Sequence, residues 1–118
     1  MTITVYGIAN CDTVKKARKW LDARGVGYDF HDYKKSPPSA DLLQGWVDAV
    51  GHEVLLNKRG TTFRKLSDAD KADIDDAKAI RLMVDNPSMI KRPVVTGAGD
   101  LIVGFDEAEW EQRFPILP

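Results

Sequence analysis

The beginning of the sequence alternates between strand-like and helix-like patterns, and this alternation constrains the fold more than any other feature. Residues 3–8 form a short β-prone run that ends in a loop. In residues 12–24, apolar side chains recur at spacings of three and four, which predicts an amphipathic helix that stops before Gly25. Residues 26–33 predict a second strand. Because strand–helix–strand crossovers are right-handed, the two strands are expected to be parallel neighbours.

The rest of the sequence predicts a helical middle and a second β-containing end. A helix is predicted from Ser39 to Gly51, and further helices between Ser67 and Asn86. Residues 94–103 contain two short apolar runs around a glycine-rich turn, which predicts a β-hairpin. A last helix is predicted over 106–113. The element order is therefore βαβ, helical insertion, ββα, which is typical of an α/β protein.

The length and the charge balance narrow the class of protein further. At 118 residues the chain fits one domain, 1–118, with the helical insertion at about 39–90. Seventeen Lys and Arg against 18 Asp and Glu give a net charge of −1, so neither nucleic acid nor an anionic membrane is an expected partner. The chain lacks an obvious exposed apolar stripe, and a monomer is expected.

The cysteine content predicts the compartment and excludes two kinds of site. A single cysteine cannot form an intrachain disulfide or a cysteine-rich zinc site, and it suggests a reducing compartment. The amino terminus has neither a basic region nor a long apolar region, so a cytoplasmic location is expected. His31 and His52 lack partners at metal-ligand spacing, and no metal is expected.

The lone cysteine, Cys11, lies between the first predicted strand and the first predicted helix. Unpaired N–H groups and the positive end of the helix dipole would face its sulfur there, which favours a reactive thiolate. The alternative is a small buried residue, as free cysteines often are. If Cys11 is reactive, an external thiol such as glutathione must complete turnover, since no second cysteine is present.

Candidate binding residues surround Cys11 or carry positive charge. Asn10 is its neighbour in the loop. Arg92 precedes Pro93 at the start of the third predicted strand, where a cis peptide bond is conceivable, although base rates favour a trans proline that opens an edge strand. Lys58 and Arg59 form a second basic stretch, for which the alternative is an ordinary solvated loop.

Several stretches together resemble the ArsC family, which includes glutaredoxin-coupled arsenate reductases, Spx regulators and YffB-type proteins. The matching stretches are ITVYGIANCDTVKKARKWL from Ile3, the Ser36-Pro37-Pro38 break, Leu55-Leu56-Asn57-Lys58, Ile90-Lys91-Arg92-Pro93-Val94-Val95 and the ending Ile116-Leu117-Pro118. The first stretch is most similar to the YffB-type branch. The resemblance implies a thioredoxin-like (glutaredoxin-like) fold with a mixed four-stranded sheet, in agreement with the predicted element order.

The resemblance also implies roles for individual residues. Cys11 matches the nucleophile of the arsenate reductases. Arg92 matches one of their three oxyanion-binding arginines, the one before a proline that this fold usually holds cis. The other two arginines are replaced, one by Asn57 and one by Gly104. Because each charge-assisted hydrogen bond to a buried oxyanion contributes about 1.5–3 kcal/mol, arsenate is a weak expectation as substrate.

Two classes of function follow. The first is a glutathione-dependent thiol reductase, with Cys11 as nucleophile, glutathione as reductant rather than bound cofactor, and glutaredoxin as a candidate partner. Arg92, Pro93, Lys58, Arg59 and Asn10 are the expected binding residues, and arsenate is the alternative substrate. The second class is a non-catalytic binding module like the Spx regulators. Their Cys-x-x-Cys switch is absent here, because Val14 occupies the second cysteine position.

Overall fold

The computed structural model describes residues 2–114 and contains one four-stranded sheet. The strands are β1 (Thr4–Gly7), β2 (Asp29–Asp32), β3 (Val94–Thr96) and β4 (Ile102–Val103), in the spatial order β2-β1-β3-β4. β1 and β2 run parallel, whereas β3 runs antiparallel to both β1 and β4. The sheet confirms the predicted α/β class and mixed four-stranded sheet. The Ile116-Leu117-Pro118 motif lies outside the described residues.

The predicted helices are present, with shorter ones between them. The helices are α1 (Asp12–Ala23), α2 (Ala40–Val50), α3 (His52–Leu55), α4 (Thr61–Arg64), α5 (Asp68–Lys71), α6 (Asp76–Asp85) and α7 (Glu107–Arg113), and a 3-10 turn spans Pro87–Met89. The predictions for α1, α2 and α7 are confirmed to within one residue at most ends. The single-turn helices α3 and α4 are too short to show a helical period in the sequence.

By its internal contacts the chain divides into two compact units. The sheet unit contains residues 2–36 and 92–114, and the helical unit is Pro37–Lys91. The helical unit therefore has nearly the bounds of the insertion predicted at about 39–90. That the whole chain acts as one domain stays a prediction.

In the sheet unit, α1 packs on the sheet through one apolar face. Its buried residues Val14, Ala17 and Leu21 follow a spacing of three and four, and Trp20 widens the face. They join a core cluster that also holds Val5, Val26, Val95, Ile102, Trp110 and Phe114. Burying a side chain such as Leu21 contributes about 1.5–3 kcal/mol, so packing holds α1 on the sheet.

The second strand is shorter than predicted. It covers Asp29–Asp32 rather than 26–33 because β1, the strand that pairs with it within residues 2–114, offers four residues for pairing. Val26 belongs instead to the turn after α1, where its N–H donates to the Leu21 carbonyl at 3.1 Å. Beyond the ladder, the Tyr33 N–H donates to the Gly7 carbonyl at 2.9 Å.

The proline at the start of β3 differs from the base-rate expectation. The Arg92–Pro93 bond is cis, and β3 lies between β1 and β4 rather than at an edge. The expectation of a trans proline opening an edge strand is therefore wrong, and the cis bond implied by the resemblance is confirmed. Pro93, which has no N–H, immediately precedes the first paired residue, and its carbonyl accepts from the Gly104 N–H at 2.8 Å.

In the helical unit, side-chain oxygens cap α2, α5 and α6. The caps are Ser39 Oγ accepting from the Leu42 N–H at 3.1 Å, Ser67 Oγ accepting from the Asp70 N–H at 3.2 Å, and Asp75 Oδ1 accepting from the Lys78 N–H at 2.8 Å. An antiparallel bridge between Leu56 and Ile90 closes the unit near its end. Trp46 is 5% exposed and belongs to the buried residues of this unit.

Candidate functional site

The strand register brings Cys11 and the Arg92–Pro93 bond to the same edge of the sheet. Tyr6, near the carboxyl end of β1, pairs with Val94 at the amino end of β3. The loop that leads from β1 to Cys11 therefore leaves the sheet where the chain enters β3 from Pro93. β2 ends at this edge too, because it is parallel to β1. Ligands of open α/β sheets bind at the carboxyl ends of parallel strands, so this edge is the candidate site.

Cys11 occupies the position immediately before α1. Its backbone is extended, with φ −123° and ψ 127°, and its carbonyl accepts the Lys15 N–H at 2.9 Å. The side chain is half-buried and makes no capping hydrogen bond. The N–H groups of the first turn and the helix dipole favour negative charge at this position. This is the position at which the sequence predicts a reactive thiol, and that reactivity stays a prediction.

A glycine lets the start of α1 approach the end of β1. A Cβ atom at Gly7 would lie 2.9 Å from Cγ2 of Val14, closer than real Cβ contacts. Val14 itself is fully buried. Because β1 ends in a residue without a side chain, the first turn of α1 lies directly on the strand end, which fixes where the Cys11 backbone lies. The sequence shows this glycine but not the contact that requires it.

Tyr33 is a buried residue at this edge that sequence analysis did not single out. It is 1% exposed, and its hydroxyl has no hydrogen-bond partner within residues 2–114. Burial, and secondarily the nearby Tyr6, raise its pKa above the ordinary value, while the positive charge of Arg92 acts in the opposite direction. The Tyr33 phenol is therefore neutral, and the positive charge of Arg92 acts electrostatically on it. An aromatic residue at a strand end is too common to predict such a role.

The remaining predicted binding residues lie in two different places. Asn10 is exposed in the turn before Cys11. Lys58 and Arg59 are exposed in the loop after α3, within the helical unit. That loop borders a groove of about 370 Å³, to which Glu53, Leu56, Asn57 and Lys91 also contribute. The binding roles of Asn10, Lys58 and Arg59 stay predictions.

Local structure suits the two residues that stand where the resemblance implies arginines, Asn57 and Gly104. Gly104 has φ +85°, a backbone conformation that side-chain-bearing residues rarely adopt. Its carbonyl also accepts the Trp110 Nε1–H at 3.1 Å. Asn57 accepts the Arg59 N–H with its side-chain oxygen at 3.1 Å, which holds the loop in a tight turn. Each replacement therefore suits the backbone that surrounds it.

No helix within residues 2–114 is long and apolar enough to cross a membrane. In the same part of the chain, His, Cys, Asp and Glu nowhere gather in a group of three that could hold a metal ion.

Comparison with known proteins gives consistent matches over almost the whole chain. The ArsC family model matches residues 6–113. A solved structure of a YffB protein is 51% identical with a TM-score of 0.92, covering 95% of this chain and 98% of that one. The solution structure of an arsenate reductase (ArsC) related protein from Brucella melitensis is 49% identical with a TM-score of 0.78, covering 98% and 97%. These neighbours confirm the predicted thioredoxin-like fold.

A regulator is among the relatives as well. The global transcriptional regulator Spx of Streptococcus mutans is 30% identical over 115 residues, which cover 96% of this chain and 83% of Spx. The relatives therefore include both arsenate reductase-related proteins and a transcriptional regulator.

Proposed function

Since the chain belongs to the ArsC family, we propose that it is a glutathione-dependent thiol reductase in which Cys11 is the single nucleophile. The observation that carries the proposal is the position of Cys11. Its side chain makes no bond that would cap α1, and it lies at the sheet edge where the chain also enters β3 through Arg92 and a cis Pro93. Reduction by glutathione also fits the expected cytoplasmic location, where a lone thiol stays reduced.

In the first step, the Cys11 thiolate attacks the glutathionyl sulfur of a mixed disulfide, R–S–S–G. A bond forms between Cys11 Sγ and the glutathionyl sulfur, the S–S bond of the mixed disulfide breaks, and the R–S⁻ leaving group takes a proton from solvent. The start of α1 favours the attacking anion through its N–H groups and its dipole.

In the second step, glutathione restores the enzyme. A glutathione thiolate attacks the glutathionyl sulfur on Cys11, so that glutathione disulfide leaves and the Cys11 thiolate reforms. The net reaction converts R–S–S–G and GSH into RSH and GSSG, which reduces the substrate and oxidises glutathione. The positive charge of Arg92 at the same sheet edge supports the binding of glutathione carboxylates, with Pro93 and Asn10 as further candidate contacts in the sheet unit.

An assay of glutathionylated peptide reduction tests the proposal. Wild-type protein with glutathione should release the peptide thiol, and Cys11→Ser should not. A matched control moves the thiol: the double variant Cys11→Ser with Ser39→Cys places it before α2 instead, at another helix start. It should be inactive, because a helix start alone lacks the Cys11 sheet edge. Full activity in Cys11→Ser would contradict the proposal.

Arsenate is the alternative substrate, and two observations weaken it. At Gly104 an arginine would have to adopt φ +85°, and at Asn57 it would remove the side-chain oxygen that accepts the Arg59 N–H. Arg92 is then the one family arginine left. We expect arsenate levels to stay constant during incubation with the protein, glutathione and glutaredoxin. Steady arsenate consumption that depends on Cys11 would show that arsenate is a substrate.

A binding function is favoured by the similarity to Spx. The Spx redox switch is absent, however, because the chain has one cysteine and the second position is the fully buried Val14. A binding module of this kind would work without the thiol. Recovery of the same purified partner by wild-type protein and by Cys11→Ser, together with no reductase activity in either, would favour this second function.

A further inference from the structure

A groove in the sheet unit has a charge pattern that the proposed mechanism does not use. Its volume is about 490 Å³, within the range of roughly 300–1,000 Å³ typical of ligand pockets. The lining residues are Ala9, Arg18, Phe30, His31, Asp32, Lys35 and Ser36. They come from the loop before Cys11, from α1, from β2 and from the turn after β2.

Arg18 is held in place at this groove by two aromatic residues. Its guanidinium carbon lies 4.1 Å from the centroid of the Phe30 ring, which is a cation–π contact. Its Nε donates to the Tyr28 hydroxyl at 3.1 Å. Tyr28 lies just before β2, and Phe30 lies in β2. A guanidinium fixed in this way keeps its terminal N–H groups as donors in one orientation, so it loses little conformational entropy when it binds a carboxylate.

The groove has both signs of charge among its lining residues. Lys35 is exposed and adds a second cation, while Asp32 supplies a carboxylate. His31 bonds to the Ser36 carbonyl through Nε2 at 2.7 Å, so this ring closes the groove wall. Two cations beside one carboxylate match an α-amino acid terminus, which has a carboxylate and an ammonium group on the same carbon. A simple anion would match the two cations but not Asp32.

The groove begins close to the nucleophile. Ala9 is two residues before Cys11, so the two Cα atoms are at most about 7 Å apart. This separation lets one bound molecule place an amino acid terminus in the groove and a sulfur at Cys11. Glutathione has this form, because its γ-glutamyl end carries the free α-carboxylate and α-ammonium, and its sulfur is on the next residue.

We propose that this groove binds the γ-glutamyl end of glutathione, with the α-carboxylate on Arg18 and Lys35 and the α-ammonium on Asp32. The proposal rests on the proposed function, since it names the place where that function's thiol substrate is held. It makes Arg18, Lys35 and Asp32 specificity residues, which favour glutathione over thiols without a γ-glutamyl group.

Comparison of two disulfides tests the groove by reaction. Cys11 of the wild-type protein should react with glutathione disulfide faster than with the disulfide of cysteinylglycine, which lacks the γ-glutamyl group. Lys35→Gln should lower this preference about threefold, because an exposed charge contributes little. Arg18→Gln should lower it about tenfold, because the guanidinium is held in one orientation. Lys34→Gln is the matched control: it removes an adjacent exposed lysine that is outside the groove, and should leave the preference unchanged.

A binding measurement separates failure of the groove from failure of the reductase. S-methylglutathione cannot react with Cys11, so its binding is independent of catalysis. It should shift the backbone amide NMR signals of Ala9, His31 and Ser36, and inorganic phosphate at equal concentration should not. The far-ultraviolet circular dichroism of each variant should match that of the wild type. If Arg18→Gln alone alters the fold, Lys35→Gln and the binding measurement still test the groove.

The outcomes are distinct. If S-methylglutathione binds in the groove but Cys11 does not react with either disulfide, the groove is supported and the reductase fails. If Cys11 reacts equally with both disulfides in wild type and variants, the reductase stands and the groove proposal is overturned. Equal shifts with phosphate would also overturn it, because they would mark a general anion patch.

Discussion

The start of α1 in the sheet unit and the starts of α2 and α6 in the helical unit follow different rules. Ser39 and Asp75 cap α2 and α6 with side-chain oxygens, whereas Cys11 makes no capping bond. The buried side-chain atoms without hydrogen-bond partners, Trp20 Nε1 and Tyr33 Oη, are also in the sheet unit, as judged for residues 2–114. Proteins tend to break local rules of stability where they function, and here the helix that begins after the thiol lacks the side-chain cap.

Packing compensates for the missing cap of α1. The helix has four buried residues, and Trp20 lies edge-on to Trp110 with ring centroids 5.5 Å apart. Trp110 is fully buried, and its indole N–H is bonded to Gly104. The chain can thus leave a first-turn donor of α1 without a side-chain acceptor, because its apolar face already fixes the helix.

The largest effect is expected from removing that packing. Trp110→Ala should lower the free energy of unfolding by about 3–5 kcal/mol, because it creates a cavity beside Trp20 and deletes the bond to Gly104. Urea unfolding measures the change. Val54→Ala is the control, since Val54 is an exposed apolar residue in the helical unit and its loss should cost little. Similar losses in both variants would refute the role given to packing.

Removal of the caps in the helical unit should have a moderate effect. Ser39→Ala and Asp75→Ala should each lower the free energy of unfolding by about 1 kcal/mol, because a first-turn N–H of α2 or α6 loses its acceptor. The same urea experiment measures both variants. A loss below the error of the method in both would show that the capping bonds contribute nothing to stability.

Addition of a cap to α1 should have a smaller effect of opposite sign. Cys11→Ser supplies a hydroxyl at a position that already has capping backbone geometry, so the free energy of unfolding should rise by about 0.5–1 kcal/mol. The same variant should lose reductase activity. Stability and activity then change in opposite directions at one residue, which is the result expected where function displaced a stabilising side chain. A destabilised Cys11→Ser protein would contradict this explanation.

Tyr33→Phe should change stability least at neutral pH. It removes a buried hydroxyl that has no hydrogen-bond partner in the part of the chain that the structure describes, and loss of such a group is nearly neutral or stabilising. At alkaline pH the variant should differ from wild type. Burial raises the pKa of folded Tyr33, so above pH 10 the phenol ionises only after unfolding, and wild-type stability falls as the pH rises.

Urea unfolding at pH 8 and at about pH 10.5 checks the Tyr33 prediction, since the second value lies just above the ordinary tyrosine pKa. The loss of stability between the two pH values should be smaller in Tyr33→Phe than in wild type. An equal loss in both would show that Tyr33 does not carry this pH dependence.

The sequence predicts the elements well where a local pattern is strong. α1 shows a clear apolar period and ends before a glycine, and Ser39 is a typical cap for α2, so both helices are found as predicted. The bounds of β2 depend on the length of its partner strand, which local sequence does not contain. The cis state of Pro93 also depends on tertiary structure, and base rates alone predict it wrongly.

The candidate site is predictable only in part for the same reason. Cys11 follows from its place between a strand and a helix. Tyr33 and the groove at Arg18 depend on which residues the strand register brings together, and neither leaves a motif in the sequence. Gly104 shows the reverse case: the family resemblance implies an arginine there, and the positive φ of this position favours glycine instead.

Intact-protein mass spectrometry of the reaction with glutathione disulfide tests the central claim most directly. The account predicts that the wild-type protein gains one glutathionyl group on Cys11, that added glutathione removes it, and that the protein unfolded in urea reacts more slowly at the same pH, because α1 no longer favours the thiolate. If the folded protein gains no glutathionyl group, or gains it no faster than the unfolded chain, Cys11 is not an activated nucleophile and the account is wrong.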